Sequence, residues 1–289
     1  MRIGSALLSL LLVAGCGQAS SVALPAGSSP SHDPLRARRD ISEQTAGKET
    51  IRRQLARRFE AAVVGGRLTA AQHGWPGPRL PIAPPARQID CTRLKCVALT
   101  FDDGPGDNTG KLLDILAAHH ARATFFMLGQ MINDETRDFV RRMVSEGHEV
   151  GNHSWDHASL AGLSNDALKR ELQRTQEVVQ QVTGVRMTVM RPPYGSTNQQ
   201  VEAATREEGL AQIMWAVDTL DWRDRNSAIV AKRCAEAKAG DIVLMHDIHP
   251  TTVDAVPHLL DELDRKGFTY VTVSELFGSL TPGKQYFNR

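Results

Sequence analysis

The 289-residue chain lacks a charge excess of either sign. Its 34 Lys and Arg against 33 Asp and Glu leave a formal net charge of +1, too little for the extended basic surface a nucleic-acid binder needs. It also lacks a repeat, a heptad pattern and any Cys-x-x-Cys pair. These absences exclude solenoids and coiled coils and make a cysteine metal site an unsuitable reading of its 4 cysteines. Nor is there an apolar run long enough to span a bilayer in the usual way. The longest candidate, Ile3 to Ala14, falls short of the roughly 20 residues a spanning helix requires.

That short run, preceded by Arg2, reads as a targeting segment. It ends in Val13-Ala14-Gly15-Cys16, which resembles a bacterial lipobox, in which the cysteine is lipidated and becomes the new N-terminus. Residues 1–15 are then a lipoprotein signal peptide and Cys16 the lipidation site, with an ordinary signal peptide cut near Ala19 as the alternative. Either way the mature protein is expected outside the cytoplasm, membrane-anchored in the first case and secreted in the second. In an oxidising compartment, two of Cys91, Cys96 and Cys234 should pair. Three pairings are open, and Cys91–Cys96 is favoured because the polar stretch between them suits a tight turn. Three buried, reduced thiols are the alternative.

Residues 16–89 read as a tether: Ser, Ala, Gly and Pro to about residue 35, a basic helix-prone stretch over 36–63, and a proline-rich linker over 74–86. Beyond residue 90 the pattern alternates. Strands are expected at Val97–Phe101, Ala123–Leu128, His148–Gly151, Met187–Met190, Ala211–Val217, Ile242–Met245 and Phe268–Val271. Helices are expected at Thr109–His119, Asp134–Glu146, Asn165–Val182, Asn198–Glu208, Ala228–Ala237, Thr251–Arg265 and Val273–Phe277. Seven β units alternating with helices predict an α/β fold on a parallel sheet, open or closed into a barrel.

The chemistry-bearing residues follow those strands. Asp102 and Asp103 follow the first, Asn152, His153 and His157 the third, Arg191 the fourth, Asp221 and Trp222 lie beyond the fifth, and His246 and Asp247 follow the sixth. Strand carboxyl ends are where parallel α/β folds build active sites. Two imidazoles four positions apart and an aspartate oxygen, with open positions left over, suit a catalytic divalent metal.

Five segments in order carry a family resemblance: Thr100-Phe101-Asp102-Asp103-Gly104-Pro105, His153-Ser154-Trp155-Asp156-His157, Arg191-Pro192-Pro193-Tyr194-Gly195, Asp221-Trp222, and Leu244-Met245-His246. They resemble the successive motifs of the polysaccharide deacetylases, carbohydrate esterase family 4, and most closely those of bacterial peptidoglycan N-acetylglucosamine deacetylases. The resemblance implies a distorted, TIM-like (β/α)7 barrel with parallel strands, a catalytic domain over 90–280 and a C-terminal tail over 281–289. It implies metal ligation by Asp103, His153 and His157, with Zn²⁺ as the expected ion and Co²⁺ or another transition metal as the alternative. Asp102 becomes the general base, oriented by Arg191. The Tyr194 backbone N–H faces the oxyanion. His246 is the general acid and Asp221 its partner, and Trp222 and Leu244 line the acetyl pocket.

The expected reaction is removal of N-acetyl groups from amino sugars of a cell-wall polysaccharide, peptidoglycan before chitin oligosaccharides. The competing readings are an O-acetylxylan esterase and a non-catalytic glycan-binding lipoprotein. Partners are expected to be the glycan and, through the lipid, the membrane; a monomer is expected and no nucleic acid. His148, Asp247 and His249 lie near the motifs without an assigned role, His119 and His120 read as solvated, Asp156 as a support for the neighbouring histidines, and Asp218 as a residue confusable with Asp221.

Overall fold

The computed structural model describes residues 80–289. The leader with Cys16, the basic stretch over 36–63 and the first part of the proline-rich linker lie outside them.

Strand and helix alternate from Lys95 onward: β1 Lys95–Asp102, α1 Thr109–Ala118, β2 Thr124–Met127, α2 Arg137–Ser145, β3 Glu149–Asn152, α3 Asn165–Thr183, β4 Val189–Met190 and α4 Gln199–Glu207. Then follow β5 Ala211–Ile213, β6 Val217–Asp218, α5 Asp221–Asp224, α6 Ser227–Cys234, β7 Ile242–His246, α7 Pro250–Arg265, β8 Phe268–Tyr270, α8 Val273–Phe277 and β9 Gln285–Tyr286. Local chemistry sets the helix ends. The side chains of Ser164, Asn198 and Asn226 accept from the first turns of α3, α4 and α6. Thr272 and Glu275 form a capping box on α8. Gly184, at φ 76°, ends α3 in the left-handed conformation that glycine adopts without a Cβ clash.

All sheet pairings are parallel, in the order β6-β7-β1-β2-β3-β4-β5-β9, with β8 paired to the start of β1. Along β1 the side chains alternate. Val97, Leu99 and Phe101 join the cluster under the outer helices, whereas Cys96 and Ala98 join the cluster that also holds Phe126, Val189, Ile213 and Ile242. Both faces are buried, so β1 reads as a continuous apolar run rather than an amphipathic one.

Two expectations are corrected here. The expected strand Ala211–Val217 is two strands, and they lie on opposite sides of the sheet order: β5 pairs β4 and β9, while β6 pairs β7. Between them the Met214 N–H bonds the Tyr286 carbonyl, and the Ala216 N–H bonds the Ile242 carbonyl. The chain itself thus crosses the seam of the curled sheet within three residues, which is the distortion of the barrel. Continuous strand character could not reveal it, because the apolar run from Ile213 to Val217 continues straight through the crossing. Residues 281–289, expected as a tail, add β9 beside β5 and bridge Asn288 to Asp241.

Cys91 and Cys96 are disulfide-bonded, and Cys234 is a buried free thiol. The turn between them is built by Asp90, whose carbonyl accepts from Arg93 and Leu94 and whose side chain accepts from Thr92. Closing so short a loop stabilises by roughly 2 kcal/mol on the chain-entropy account. The Cys91→Ala/Cys96→Ala double variant should therefore melt roughly 4–8 °C lower by calorimetry, and an unchanged midpoint would show that the turn holds itself.

Candidate functional site

The sheet delivers the functional side chains to one rim. Parallel register sets Asp102, the last residue of β1, beside His246, the last of β7. β3 ends at Asn152 and releases His153, and β4 ends at Met190 and releases Arg191. All of these are carboxyl ends of strands.

Asp103, His153 and His157 each turn one donor atom to a common point, with those atoms within 4.8 Å of one another. Asp103 Oδ1 lies 3.4 Å from His153 Nε2 and 3.3 Å from His157 Nε2. That oxygen is buried without a hydrogen-bond partner among the described residues, a costly arrangement unless a cation completes it. His153 Nδ1 lies 2.6 Å from the Arg191 carbonyl. It must be the protonated nitrogen there, because a carbonyl only accepts, and Nε2 is left with its lone pair toward the common point. The trio fits a divalent metal ion. Without a cation, a proton on His153 Nε2 would be directed at Asp103 instead: burial would raise that carboxyl, but hydrogen bonding and charge from His153, with His246 and His157 behind it, hold it down at about 2.

Asp102 is held from beneath. The Arg191 guanidinium is fully buried and donates from Nη1 to Asp102 Oδ1 at 2.8 Å and to Thr100 Oγ1 at 2.7 Å. Its Nε and Nη2 donate to the carbonyls of Ile213 and Met214 at 3.0 and 2.9 Å. Asp102 Oδ2 lies 3.8 Å from His153 Nε2. Across the cavity, His246 Nδ1 donates to Asp221 Oδ1 at 2.8 Å. Asp221 also accepts from the His246 and Trp222 backbone N–H groups and from Thr252 Oγ1. Burial works against charging His246, but Asp221, reinforced by Asp102 and Asp103, raises its pKa to about 9.

A cavity of about 380 Å³ joins these groups, lined by Asp102, Asp103, His153, His157, Pro192, Tyr194, Trp215, Asp218, Trp222, Leu244 and His246. The Tyr194 and Trp222 rings stand 72% and 47% exposed at this cavity. Tyr194 has φ 61°. The N–H groups of Gly195 and Ser196 close back on Pro192 and Pro193, while that of Tyr194 takes no backbone partner outside its own short helix among the described residues. Asp103, Ser154, His157 and Leu220 share this positive φ, a conformation costly for non-glycine residues and found where a site needs it.

All ten expected site residues of the described region therefore border the cavity or brace a residue that does; Cys16 lies outside that region. Trp215, Pro192 and Asp218 line the cavity as well. Trp215 carried no sequence signal, since it sits in an apolar stretch that reads as core. Asp218 and Asp221 separate by contacts: Asp221 holds His246, whereas Asp218 accepts from the Leu220 N–H and faces the cavity. Thr252, which braces Asp221, sits on α7 and carried no signal either. Of the unassigned residues, His148 accepts from the Ala123 N–H, and Asp247 is buried against Thr109 Oγ1. His249 touches Arg225, and its ring lies 5.7 Å from that of His246.

Residues 89–213 match the family described as polysaccharide deacetylase. The peptidoglycan-N-acetylglucosamine deacetylase PgdA of Listeria monocytogenes is 46% identical over 198 residues, covering 68% of this chain and 42% of that protein. The chain thus spans about two fifths of the length of such curated relatives. Among solved structures, a T48 deacetylase with substrate is 41% identical with a TM-score of 0.66, covering 68% of this chain and 99% of that one. A family 4 acetyl xylan esterase from Clostridium thermocellum, in complex with a cobalt ion, is 32% identical with a TM-score of 0.63, covering 67% and 98%. On these likenesses and on the barrel they share, the chain belongs to the polysaccharide deacetylase family.

Proposed function

We propose that the chain is a metal-dependent hydrolase that removes N-acetyl groups from amino sugars of a cell-wall polysaccharide, peptidoglycan before chitin. The observation that carries this reading is the convergence of Asp103, His153 and His157 on one point, with Asp102 beside them and His246 at the same cavity. The relative named for peptidoglycan N-acetylglucosamine supports the substrate. Zinc is the proposed ion, because two imidazole nitrogens and one carboxylate oxygen with open positions match a catalytic zinc set; cobalt is the alternative.

The bound ion would polarise the acetamide carbonyl and acidify a water molecule. Asp102, fixed through Oδ1 by Arg191, keeps Oδ2 to take the proton of that attacking water. The Tyr194 N–H donates to the developing oxyanion. Asp221 holds the Nδ1–H of His246, so Nε2 is the nitrogen that gives its proton to the amine as the C–N bond breaks. An imidazole whose pKa is raised to about 9 carries that proton at neutral pH. The products are acetate and a free amino sugar. Leu244 and Trp222 offer apolar surface to the acetyl methyl, and the exposed Trp222 and Tyr194 rings offer faces to pyranose rings.

We further propose an extracytoplasmic setting, with Cys16 as a lipid anchor. The Cys91–Cys96 disulfide fits an oxidising compartment, and no helix among the described residues is long and apolar enough to cross a membrane. The second reading, an O-acetyl esterase, is favoured by the acetyl xylan esterase likeness. An alcohol leaves with less help from a proton than an amine does, so His246, braced by Asp221, favours the amide.

Incubated with peptidoglycan, chitin oligomers and acetylxylan, the full chain should release free amine from the amino sugars, and a chelator should stop it. Acetate from acetylxylan alone would transfer the assignment to the esterase. Asp102→Asn should lower turnover by about 10²–10⁴-fold with metal still bound; near-normal rates would remove Asp102 as the base. In the metal-free protein, an NMR titration should place His246 near 9, with Asp221→Asn bringing it down toward the ordinary imidazole value of 6.5. Because the folded value lies above the unfolded one, the stability from this pair is complete below pH 6.5 and is lost as pH rises through about 9. A His246 titration unmoved by Asp221→Asn would deny the carboxylate its part.

A further inference from the structure

We infer that Glu171, on α3, is a positioning residue for the metal site: its carboxylate fixes the loop that carries His153 and His157. The inference rests on the metal-binding reading above.

The two histidines sit on a non-helical loop whose ends are secured separately. The His153 N–H bonds the Met127 carbonyl, the Ser154 N–H bonds Asn152 Oδ1, and the His157 N–H bonds Ser154 Oγ. Ser154 and His157 both hold positive φ, at 69° and 65°. That backbone leaves the N–H groups of Trp155 and Asp156 between them to be satisfied. Both go to one atom, Glu171 Oε2, at 2.8 and 3.2 Å. Successive N–H groups converging on a single oxygen form an anion-binding concavity, and an ionised acceptor makes such bonds short and strong.

The neighbouring residues of α3 grip the same segment. Asn152 Nδ2 donates to the Leu172 carbonyl at 2.9 Å, and the Arg174 guanidinium lies 3.8 Å from the centre of the Trp155 ring. Glu171 does not line the cavity. It acts through the spacing of His153 and His157, and ligand spacing governs metal affinity.

The test uses the full chain and metal affinity, read by chelator competition with Zn²⁺ and by the absorption bands of bound Co²⁺. Glu171→Ala should raise the Zn²⁺ dissociation constant at least about tenfold and shift the cobalt bands, with the metal-free melting temperature little changed. Glu171→Gln, which keeps an acceptor oxygen, should recover much of the loss, and Glu177→Ala, on an exposed position of α3, should change nothing. A Glu171→Ala constant within about twofold of the parent overturns the inference, since supporting partners of ligands cost about 10–100-fold when removed. Should that variant fail to fold, Glu171→Asp takes the same reading, with an unchanged constant again overturning it. A parent chain that binds no Zn²⁺ or Co²⁺ sinks the metal-site reading itself, and this inference with it. Parent binding that survives Glu171→Ala sinks this inference alone.

Discussion

The rim depends on one buried guanidinium. Arg191 enters the barrel interior from the end of β4 and ties β1, through Thr100 and Asp102, to the seam carbonyls of Ile213 and Met214. The seam itself is spanned by the Asp241–Asn288 bridge and by the Ala216–Ile242 bond, and the same cation that orients Asp102 also anchors the chain entering it. Lysine could not substitute, because four acceptors at fixed directions match a planar fork and not a point charge. Removing the partner carboxylate would leave a desolvated charge, a loss usually far larger than the net worth of the pair. The bracing of β1 against the end of β5 and the orientation of Asp102 therefore rest on one side chain.

From that anchor the rim divides into two halves of opposite electrostatic character. On one side, protonated imidazoles in the metal-free site hold Asp103 ionised. On the other, Asp221 keeps an imidazole charged well above its ordinary range. Two environments on one cavity thus favour the charged form of a carboxyl on one side and of an imidazole on the other.

Much of this was legible in the sequence. The alternation of strand and helix was legible because short, largely apolar runs such as Val97–Phe101, buried on both faces, alternate with longer stretches of helical spacing. The convergence of His153 and His157 with Asp103 was legible because spacing and strand-end placement narrow what a polar residue there can do. The seam was not, since Ala211–Val217 has one uniform character whichever edge each half joins. Nor was β9, whose pairing with β5 arises from contacts some seventy residues apart. Glu171 and Thr252 are ordinary helix residues by composition; their importance comes from which N–H or carboxylate the fold sets before them.

The unusual backbone at Tyr194 has a methodological consequence. Its ring is largely solvated, its backbone holds φ 61°, and its peptide N–H has no backbone partner outside its own short helix among the described residues. In the reading proposed here the reactive contribution resides in the main chain, where alanine scanning is blind: every substituted side chain still carries the same amide. Only an ester linkage installed in place of that single peptide bond would delete the donor and leave the fold otherwise intact.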